Sequence, residues 1–387
     1  MFTHIIKDFF GNKQSLAIGL AFISMGLLFG CWATFIPHIK QLFQLNDAEL
    51  GILLLSMPFG ALVMNPVAAM LIRKIGMRKS TLWGWCFLLF TYFLLLNAPN
   101  VYILSFFLLL CGSAIAITNI GMNTCVGSIE SHQNIKIMST CHGMFSLGLM
   151  TGSIVSSFFN GFSISPDKIM LSICLILLAS FFYARPIILL LFDEQGTAKL
   201  KRSKFQFPTG NFLLMIILSL CINITEGTMA DWTAVFMRDV VKTNRYYEGW
   251  GLAGYSFLMA IGRLSGDKII PKFGANKILI YGGFLSVIGI LIAILLPYTF
   301  TAIFGFALVG AGVSCGAPIL YASSSRLPNM PKGAGLAMMN TFAMGGFLFG
   351  PVLIGFISKG FSLPIAFTLI ATLGLVWIYN AKKVKLF

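Results

Sequence analysis

The chain has 387 residues, of which 57% are hydrophobic and only 10% are charged, and its mean hydropathy is +0.88. Soluble domains carry about 25% charged residues, so this composition excludes a water-soluble globular protein and leaves no length for a separate catalytic domain. The formal charge of +15 does not indicate nucleic-acid binding, because the basic residues lie almost entirely in short loops between apolar runs.

Apolar runs long enough to cross a bilayer follow one another along the whole chain. The first run is too long for the core of a signal peptide and has no small-residue cleavage site after it, so we interpret it as a retained helix. The sequence therefore predicts an all-α polytopic membrane protein with twelve transmembrane helices. Their approximate bounds are 15–37, 49–72, 80–97, 101–128, 137–160, 168–191, 211–237, 248–270, 277–297, 299–322, 334–357 and 362–381.

The loops between these runs predict the orientation in the membrane. With the N-terminus in the cytoplasm, the cytoplasmic segments contain 21 of the 27 Lys and Arg residues and the outer segments contain 6. Because short cytoplasmic loops carry an excess of Lys and Arg, both termini are predicted to lie in the cytoplasm. The predicted location of the protein is the inner (cytoplasmic) membrane. The basic face is also expected to attract anionic lipid.

No chemical motif in the sequence indicates an enzyme or a bound cofactor. The eight cysteines all fall inside apolar runs, without a CxxC pair or a histidine at ligand spacing, so neither a metal site nor a disulfide framework is predicted. The nucleotide-binding pattern Gly-x4-Gly-Lys-Ser/Thr is absent, as is HExxH. We therefore predict a protein that is not an enzyme and has no cofactor.

An internal repeat divides the chain into two similar halves. The longest hydrophilic stretch, residues 192–210, separates a predicted six-helix bundle at 1–191 from a second one at 211–387. Because each half has an even number of spans, the two copies run in the same direction, as in the parallel repeats of two-bundle transporters. With a shift of 198 positions, Gly76 coincides with Gly274, Gly112 with Gly310, Gly148 with Gly346, and Gly152 with Gly350.

The last two of these pairs form two Gly-x-x-x-Gly motifs. Such motifs let helix backbones approach closely, and with twelve helices in one chain we interpret them as packing signals before dimerisation signals. A monomer is therefore expected.

Several local motifs resemble those of one transporter family. Residues 73–79 read RKIGMRK, and residues 262–268 read GRLSGDK shortly before a second Lys-x-Gly turn. Residues 226–232 read EGTMADW, and residues 122–130 begin MNT and end in a glutamate. With the six-plus-six arrangement, these motifs resemble the major facilitator superfamily, and in particular a bacterial branch related to fucose permease and to the permease associated with rhizopine metabolism. The resemblance implies a secondary transporter whose first, fourth, seventh and tenth helices line a cavity.

The seventh span carries the first group of candidate residues. Glu226 lies near its middle, where a charge is costly unless it is paired, hydrated or neutralised. Its carboxyl is a candidate proton carrier, although a neutral acid hydrogen-bonded for packing alone is the alternative. Asp231 lies about 140° around the helix from Glu226, and it could form an outer-gate ion pair with Arg238 or contact the solute. Trp232 could stack on a solute or simply belong to the aromatic belt.

The fourth span carries a polar stripe. Asn119 and Asn123 are one turn apart, and Glu130 returns to the same face near the cytoplasmic end. The resemblance makes the two asparagines candidate solute contacts, with hydrogen bonding between helices as the alternative. We expect Glu130 to anchor a cytoplasmic gate against Lys136 or another basic loop residue.

His142 in the fifth span coincides with Asn340 under the 198-residue shift. Histidine titrates near neutral pH, so His142 is a candidate for proton coupling or solute binding, with a structural hydrogen bond as the alternative. Trp32 on the first span and Tyr321 on the tenth are candidate solute contacts by their helix assignment. The first span has no carboxylate, so coupling would depend on Glu226, Asp231 or His142.

A second candidate gate lies at the cytoplasmic end of the eighth span. Arg263 and Asp267 are four positions apart and therefore share a helix face. Their ion pair could latch a gate in one conformation, or it could be an ordinary surface pair.

Together these features predict a transporter of a small polar organic solute, such as a sugar, a polyol or an amine, that is coupled to protons. A solute with only negative charge fits this expectation poorly, because the predicted cavity helices offer carboxylates and no deeply buried Lys or Arg. An exporter of metabolites or drugs and a transporter-derived solute sensor without flux are the alternatives.

Overall fold

The computed structural model describes residues 9–192, 208–327 and 334–386, and every regular element in these ranges is helical. The described ranges contain thirteen α-helices and a 3-10 helix at Arg245–Tyr247. The α-helices are α1 (Lys13–Leu42), α2 (Asp47–Ile75), α3 (Met77–Leu95), α4 (Val101–Gln133), α5 (Met138–Gly161), α6 (Pro166–Leu189), α7 (Gly210–Asp239), α8 (Trp250–Phe273), α9 (Ala275–Leu295), α10 (Thr299–Val313), α11 (Gly316–Ser324), α12 (Ala334–Gly360) and α13 (Leu363–Lys383).

The helices account for the predicted spans. Within the described residues, nine helical segments are long and apolar enough to cross a membrane, with α10 and α11 together forming one of them. The other three spans correspond to α3, α5 and α8, which have 19, 24 and 24 residues and a more polar composition. The predicted fold class is therefore confirmed.

The tenth span differs from its prediction because it is broken. Its two helices are separated by Ser314 and Cys315. Pro318 has no N–H to donate to the carbonyl of Ser314, four residues earlier, so one hydrogen bond of the helical ladder is missing at this point. The hydroxyl of Ser314 instead donates to the carbonyl of Ala311 at 2.7 Å.

The chain forms two compact units. One comprises Met1–Phe43, Ser56–Thr197 and Asn244–Gly249, and the other comprises Gln44–Leu55, Ala198–Thr243 and Trp250–Phe387. Each unit thus includes one short segment from the opposite half of the sequence. The predicted boundaries at 1–191, 192–210 and 211–387 stay a prediction, and most of the central loop lies outside the described residues.

In the first unit, small residues bring helix backbones together. A methyl group on Gly148 or Gly152 of α5 would overlap a carbonyl oxygen of α1, at Ile23 and Leu27 respectively. A methyl group on Gly112 of α4 would likewise overlap the carbonyl oxygen of Met57 in α2. The first Gly-x-x-x-Gly motif therefore packs within the chain.

The second unit repeats this packing. A methyl group on Gly310 of α10 would overlap the carbonyl oxygen of Tyr255 in α8. Tyr255 follows Met57 by 198 positions, as Gly310 follows Gly112. Gly346 lies against Asn223 and Ile224 of α7. The repeat predicted from sequence is thus visible in equivalent backbone contacts.

The repeated turns also share their backbone conformation. Gly76, before α3, and Gly274, before α9, both have φ = 85°. Each donates its N–H to the carbonyl of an isoleucine four residues earlier, at 2.9 Å in both turns. Only glycine adopts this conformation without strain.

Replacing Gly274 with alanine is expected to lower the free energy of unfolding by about 1–3 kcal/mol, the usual cost of a strained backbone position. Thermal unfolding in detergent with a thiol-reactive dye would measure it, because seven of the eight cysteines are buried. Gly360→Ala is the control, since no atom lies within 4 Å of an added methyl group there. Equal unfolding temperatures for the two variants would contradict the prediction.

Candidate functional site

A buried ion pair joins two helices of the second unit. Nη2 of Arg263 on α8 lies 3.6 Å from Oε2 of Glu226 on α7, and the two side chains are only 14% and 13% exposed. Both residues lie near the middle of their helices, where unpaired charge is most costly in a membrane. The pair lowers that cost for both groups without fully enclosing either of them.

Two tyrosines lie near the pair, and one of them contacts an asparagine. Tyr255 and Tyr321 both lie close enough to interact electrostatically with Glu226 and with Arg263. The hydroxyl of Tyr321 on α11 donates to Oδ1 of Asn340 on α12 at 3.5 Å, a long hydrogen bond. Four helices of one unit thus contribute to one polar cluster, which we call the Glu226 cluster: Glu226, Tyr255, Arg263, Tyr321 and Asn340.

Two polar atoms of the Glu226 cluster are unsatisfied. Oε1 of Glu226 and the hydroxyl of Tyr255 are buried and have no hydrogen-bond partner among the described residues. A buried polar atom without a partner is costly, and such atoms recur where a ligand, water or proton completes a site. Oε1 of Glu226 can therefore accept a hydrogen bond from an additional donor.

The turn of α8 that contains Arg263 is closely packed. A methyl group on Gly262 would overlap the hydroxyl of Ser314, at the break between α10 and α11. The thiol of Cys315 in the same break donates to the carbonyl of Gly262 at 3.6 Å. The broken tenth span therefore packs directly against the turn of α8 that contains Arg263.

The other candidates on α7 differ in their burial. Asp231 is half-buried and Trp232 is fully buried. Arg238 is half-buried near the C-terminal end of the helix. The ion pair between Asp231 and Arg238 stays a prediction.

In the first unit the two asparagines of the polar stripe form hydrogen bonds within one helix. The amide of Asn123 donates to the backbone carbonyl and to Oδ1 of Asn119, both at 2.8 Å, and Asn119 is exposed. The two side chains therefore meet as the spacing predicted. Their contact with a solute stays a prediction.

Glu130 has a different contact from the expected one. Its Oε1 accepts the backbone N–H groups of Ile137 and Met138 at 2.6 and 2.8 Å, at the start of α5. A carboxylate at a helix N-terminus stabilises the free N–H groups there. In this structure Glu130 therefore fixes the connection from α4 to α5, and its role in a gate stays a prediction.

The aromatic candidates of the first unit lie in packed surroundings. His142 is half-buried, and its ring contacts the ring of Phe22 edge-on with centroids 5.3 Å apart. Trp32 is 1% exposed. Trp32, like Trp232, therefore presents no ring face to a solute in this structure, and binding roles for both stay predictions.

Sequence reasoning missed the partnership of Glu226 with Arg263. It placed Arg263 at the cytoplasmic end of its span, paired with Asp267, and the side chain of Asp267 lies outside the described part of the structure. The available signal was the presence of one acid and one base near the centres of consecutive antiparallel spans. The expectation that the first, fourth, seventh and tenth helices hold no deeply buried Lys or Arg stays a prediction, because Arg263 lies on the eighth span.

Comparisons with known proteins agree with this fold. The family model described as Major Facilitator Superfamily matches residues 15–329 and 247–382. An uncharacterised MFS-type transporter of Yersinia pestis is 32% identical over 376 residues, covering 97% of this chain and 96% of that one. The membrane protein MosC of Rhizobium meliloti is 26% identical over 367 residues, covering 95% of this chain and 89% of that one.

Solved transporter structures share the fold at low identity. A point mutant of the nucleoside transporter NupG has a TM-score of 0.72 at 13% identity, covering 96% of this chain and 100% of that one. A bacterial homologue of the human lysosomal transporter Spinster has a TM-score of 0.69 at 14% identity, covering 96% of both chains. The predicted family resemblance is confirmed: this chain belongs to the Major Facilitator Superfamily, and it is a multi-pass membrane transport protein.

Proposed function

We propose that the protein is a secondary active transporter that moves a small polar organic solute, such as a sugar, polyol or amine, across the cytoplasmic membrane by alternating access. Transport is coupled to protons, and Glu226 carries the proton. The family and the fold support transport in general. The buried pair of Glu226 and Arg263 supports the coupling.

The coupling follows from the two possible states of Glu226. When ionised, Glu226 is held by Arg263. When protonated, it no longer balances the guanidinium, so the α7–α8 contact weakens. A carboxyl whose charge changes the contacts of its helix is the element that a proton-driven cycle requires.

Charge bias in the loops supports an orientation with both termini in the cytoplasm. A monomer surrounded by lipid completes the proposal, with a small solute and protons as its ligands and without an enzymatic activity or a nucleic-acid partner. Export uses the same cycle in the opposite direction, and a sensor would bind solute without flux, so the direction and presence of flux decide between these alternatives.

The Glu226→Gln variant is expected to reduce solute-driven proton uptake at least tenfold, because glutamine cannot exchange a proton. Proteoliposomes containing a pH-sensitive dye would be given sorbitol, myo-inositol, glucosamine and gluconate in turn. Radiolabelled forms of the same compounds, with gradients in both directions, would report flux and its direction.

Glu49→Gln is the matched control, because Glu49 is an exposed residue at the start of α2. If neither proton nor solute moves with the native protein, transport of these solute classes is contradicted. Proton uptake that persists in Glu226→Gln would be consistent with proton-coupled transport, but it would show that Glu226 is not the proton carrier.

A further inference from the structure

We propose that Tyr255 is a solute-binding residue, and that Tyr255 and Glu226 together select a solute by its hydroxyl groups, as in a polyol or a sugar. This inference rests on the proposed function, and it narrows the solute to the hydroxylated members of the classes named there. It also adds Tyr255, which the sequence did not indicate, to the candidate solute contacts.

Tyr255 carries a polar group that destabilises this conformation. Its side chain is 2% exposed, and its hydroxyl has no hydrogen-bond partner among the described residues. A phenylalanine would fill nearly the same space without this cost, because a buried polar atom without a partner is unfavourable. A hydroxyl that is kept at such a cost is typical of a functional group that acts on a ligand.

A second atom of the same kind lies on the neighbouring helix. Oε1 of Glu226 on α7 is buried and also lacks a partner in the described ranges. Tyr255 on α8 lies close enough to Glu226 to interact with it electrostatically, yet its hydroxyl does not donate to the carboxylate. One solute molecule that reaches both atoms would satisfy both.

The two atoms require opposite hydrogen-bonding partners. The phenol O–H of Tyr255 needs an acceptor, and an ionised carboxylate oxygen of Glu226 needs a donor. A hydroxyl group provides both, whereas an ammonium group provides only donors and a carboxylate provides only acceptors. A hydroxylated solute is therefore the class that matches Tyr255 and Glu226 at once.

A hydroxyl group also matches both protonation states of Glu226. It donates to the ionised carboxylate, and it accepts from the O–H of the protonated carboxyl. An ammonium group is favoured only by the ionised form, and a solute carboxylate only by the protonated form. Hydroxyl recognition is therefore compatible with a proton that enters and leaves Glu226 during the transport cycle.

Two other members of the Glu226 cluster are accessible to a solute. Asn340 is exposed, and Tyr321, which donates to Asn340 at 3.5 Å, is half-buried. Glu226 itself is 13% exposed. A solute therefore contacts Asn340 and Tyr321 first, and a movement of side chains then brings its hydroxyls to the two enclosed atoms.

Three probes with six-carbon chains test this chemistry by equilibrium binding to the detergent-solubilised full chain. Sorbitol carries only hydroxyls, 1,6-diaminohexane only amines and adipate only carboxylates. Native protein is expected to bind sorbitol about tenfold more tightly, or better, than the other two, because each of those leaves one of the two atoms unsatisfied. Myo-inositol tests the same recognition with a ring.

The Tyr255→Phe variant removes only the hydroxyl. It is expected to weaken the binding of sorbitol and myo-inositol by about tenfold or more, while its unfolding temperature without solute equals or exceeds that of the native protein. A purely structural hydroxyl predicts the opposite, a lower unfolding temperature with unchanged binding. Tyr281→Phe on α9 is the matched control, because that side chain is 58% exposed, and it should change neither quantity.

Unchanged polyol binding in Tyr255→Phe would overturn the inference, and so would a lower unfolding temperature of this variant. Diaminohexane or adipate bound as tightly as sorbitol would also overturn it, as would the failure of both polyols to bind the native protein.

The Glu226→Gln variant separates this inference from the proposed function. Glutamine keeps an acceptor and adds a donor, so the variant should bind sorbitol within about tenfold of the native protein although it cannot exchange a proton. A larger loss would contradict the hydrogen-bond matching. A native protein that binds sorbitol but moves neither solute nor protons would contradict the proposed function and support the inference.

Discussion

Replacing Arg263 with glutamine is expected to lower the free energy of unfolding by about 3–5 kcal/mol, which is the typical cost of removing one partner of a buried ion pair. The change would leave Glu226 as a charge that is 13% exposed and has no counter-ion at Oε2. Thermal unfolding in detergent would measure the loss. We choose pH 8 because an ionised carboxylate without a partner destabilises the folded state.

The Glu226→Gln/Arg263→Gln double variant should recover most of this stability, because two neutral amides do not carry the cost of desolvated charge. Arg73→Gln is the control, since Arg73 is exposed in the last turn of α2 and surface substitutions usually change stability by less than about 0.5 kcal/mol. A double variant as unstable as Arg263→Gln would show that Arg263 contributes packing rather than charge balance.

Replacing Gly310 with alanine is the second large expected effect, a loss of about 1–3 kcal/mol or more from overpacking. The added methyl group would overlap the carbonyl oxygen of Tyr255, and backbone atoms cannot move aside as a flexible side chain can. Because α8 carries both Tyr255 and Arg263, the same displacement should also weaken solute binding at the Glu226 cluster.

Gly112→Ala tests the equivalent contact in the first unit, where the methyl group would overlap the carbonyl oxygen of Met57. The repeat predicts a loss of stability of similar size. Gly127→Ala on α4 is the control, because no atom lies within 4 Å of its added methyl group and alanine favours the helix over glycine. A drop in unfolding temperature for Gly127→Ala as large as that for Gly112→Ala would contradict the packing argument.

The spans and the repeat were predictable from sequence alone. In a bilayer every backbone polar group must be satisfied internally, so apolar runs of about 20 residues become helices whatever their partners are. Some positions tolerate only glycine and recur in both halves. Gly274 has φ = 85°, and Gly310 lies against a carbonyl oxygen, so a side chain at either position would strain or displace the backbone. Glu226 was predictable as a candidate because an acid in the middle of a span needs an explanation.

The sequence by itself thus determined the twelve helices, the two copies and the acid at the centre of the seventh span. Only the tertiary structure decided that Arg263 is a partner of Glu226, that the tenth span is broken at Ser314 and Cys315, and that Glu130 caps α5. The reason is physical: helix α7 is apolar around most of its circumference, so its pattern leaves the rotation about its axis undefined. That rotation is set by close contacts with other helices, and it decides which buried polar groups meet.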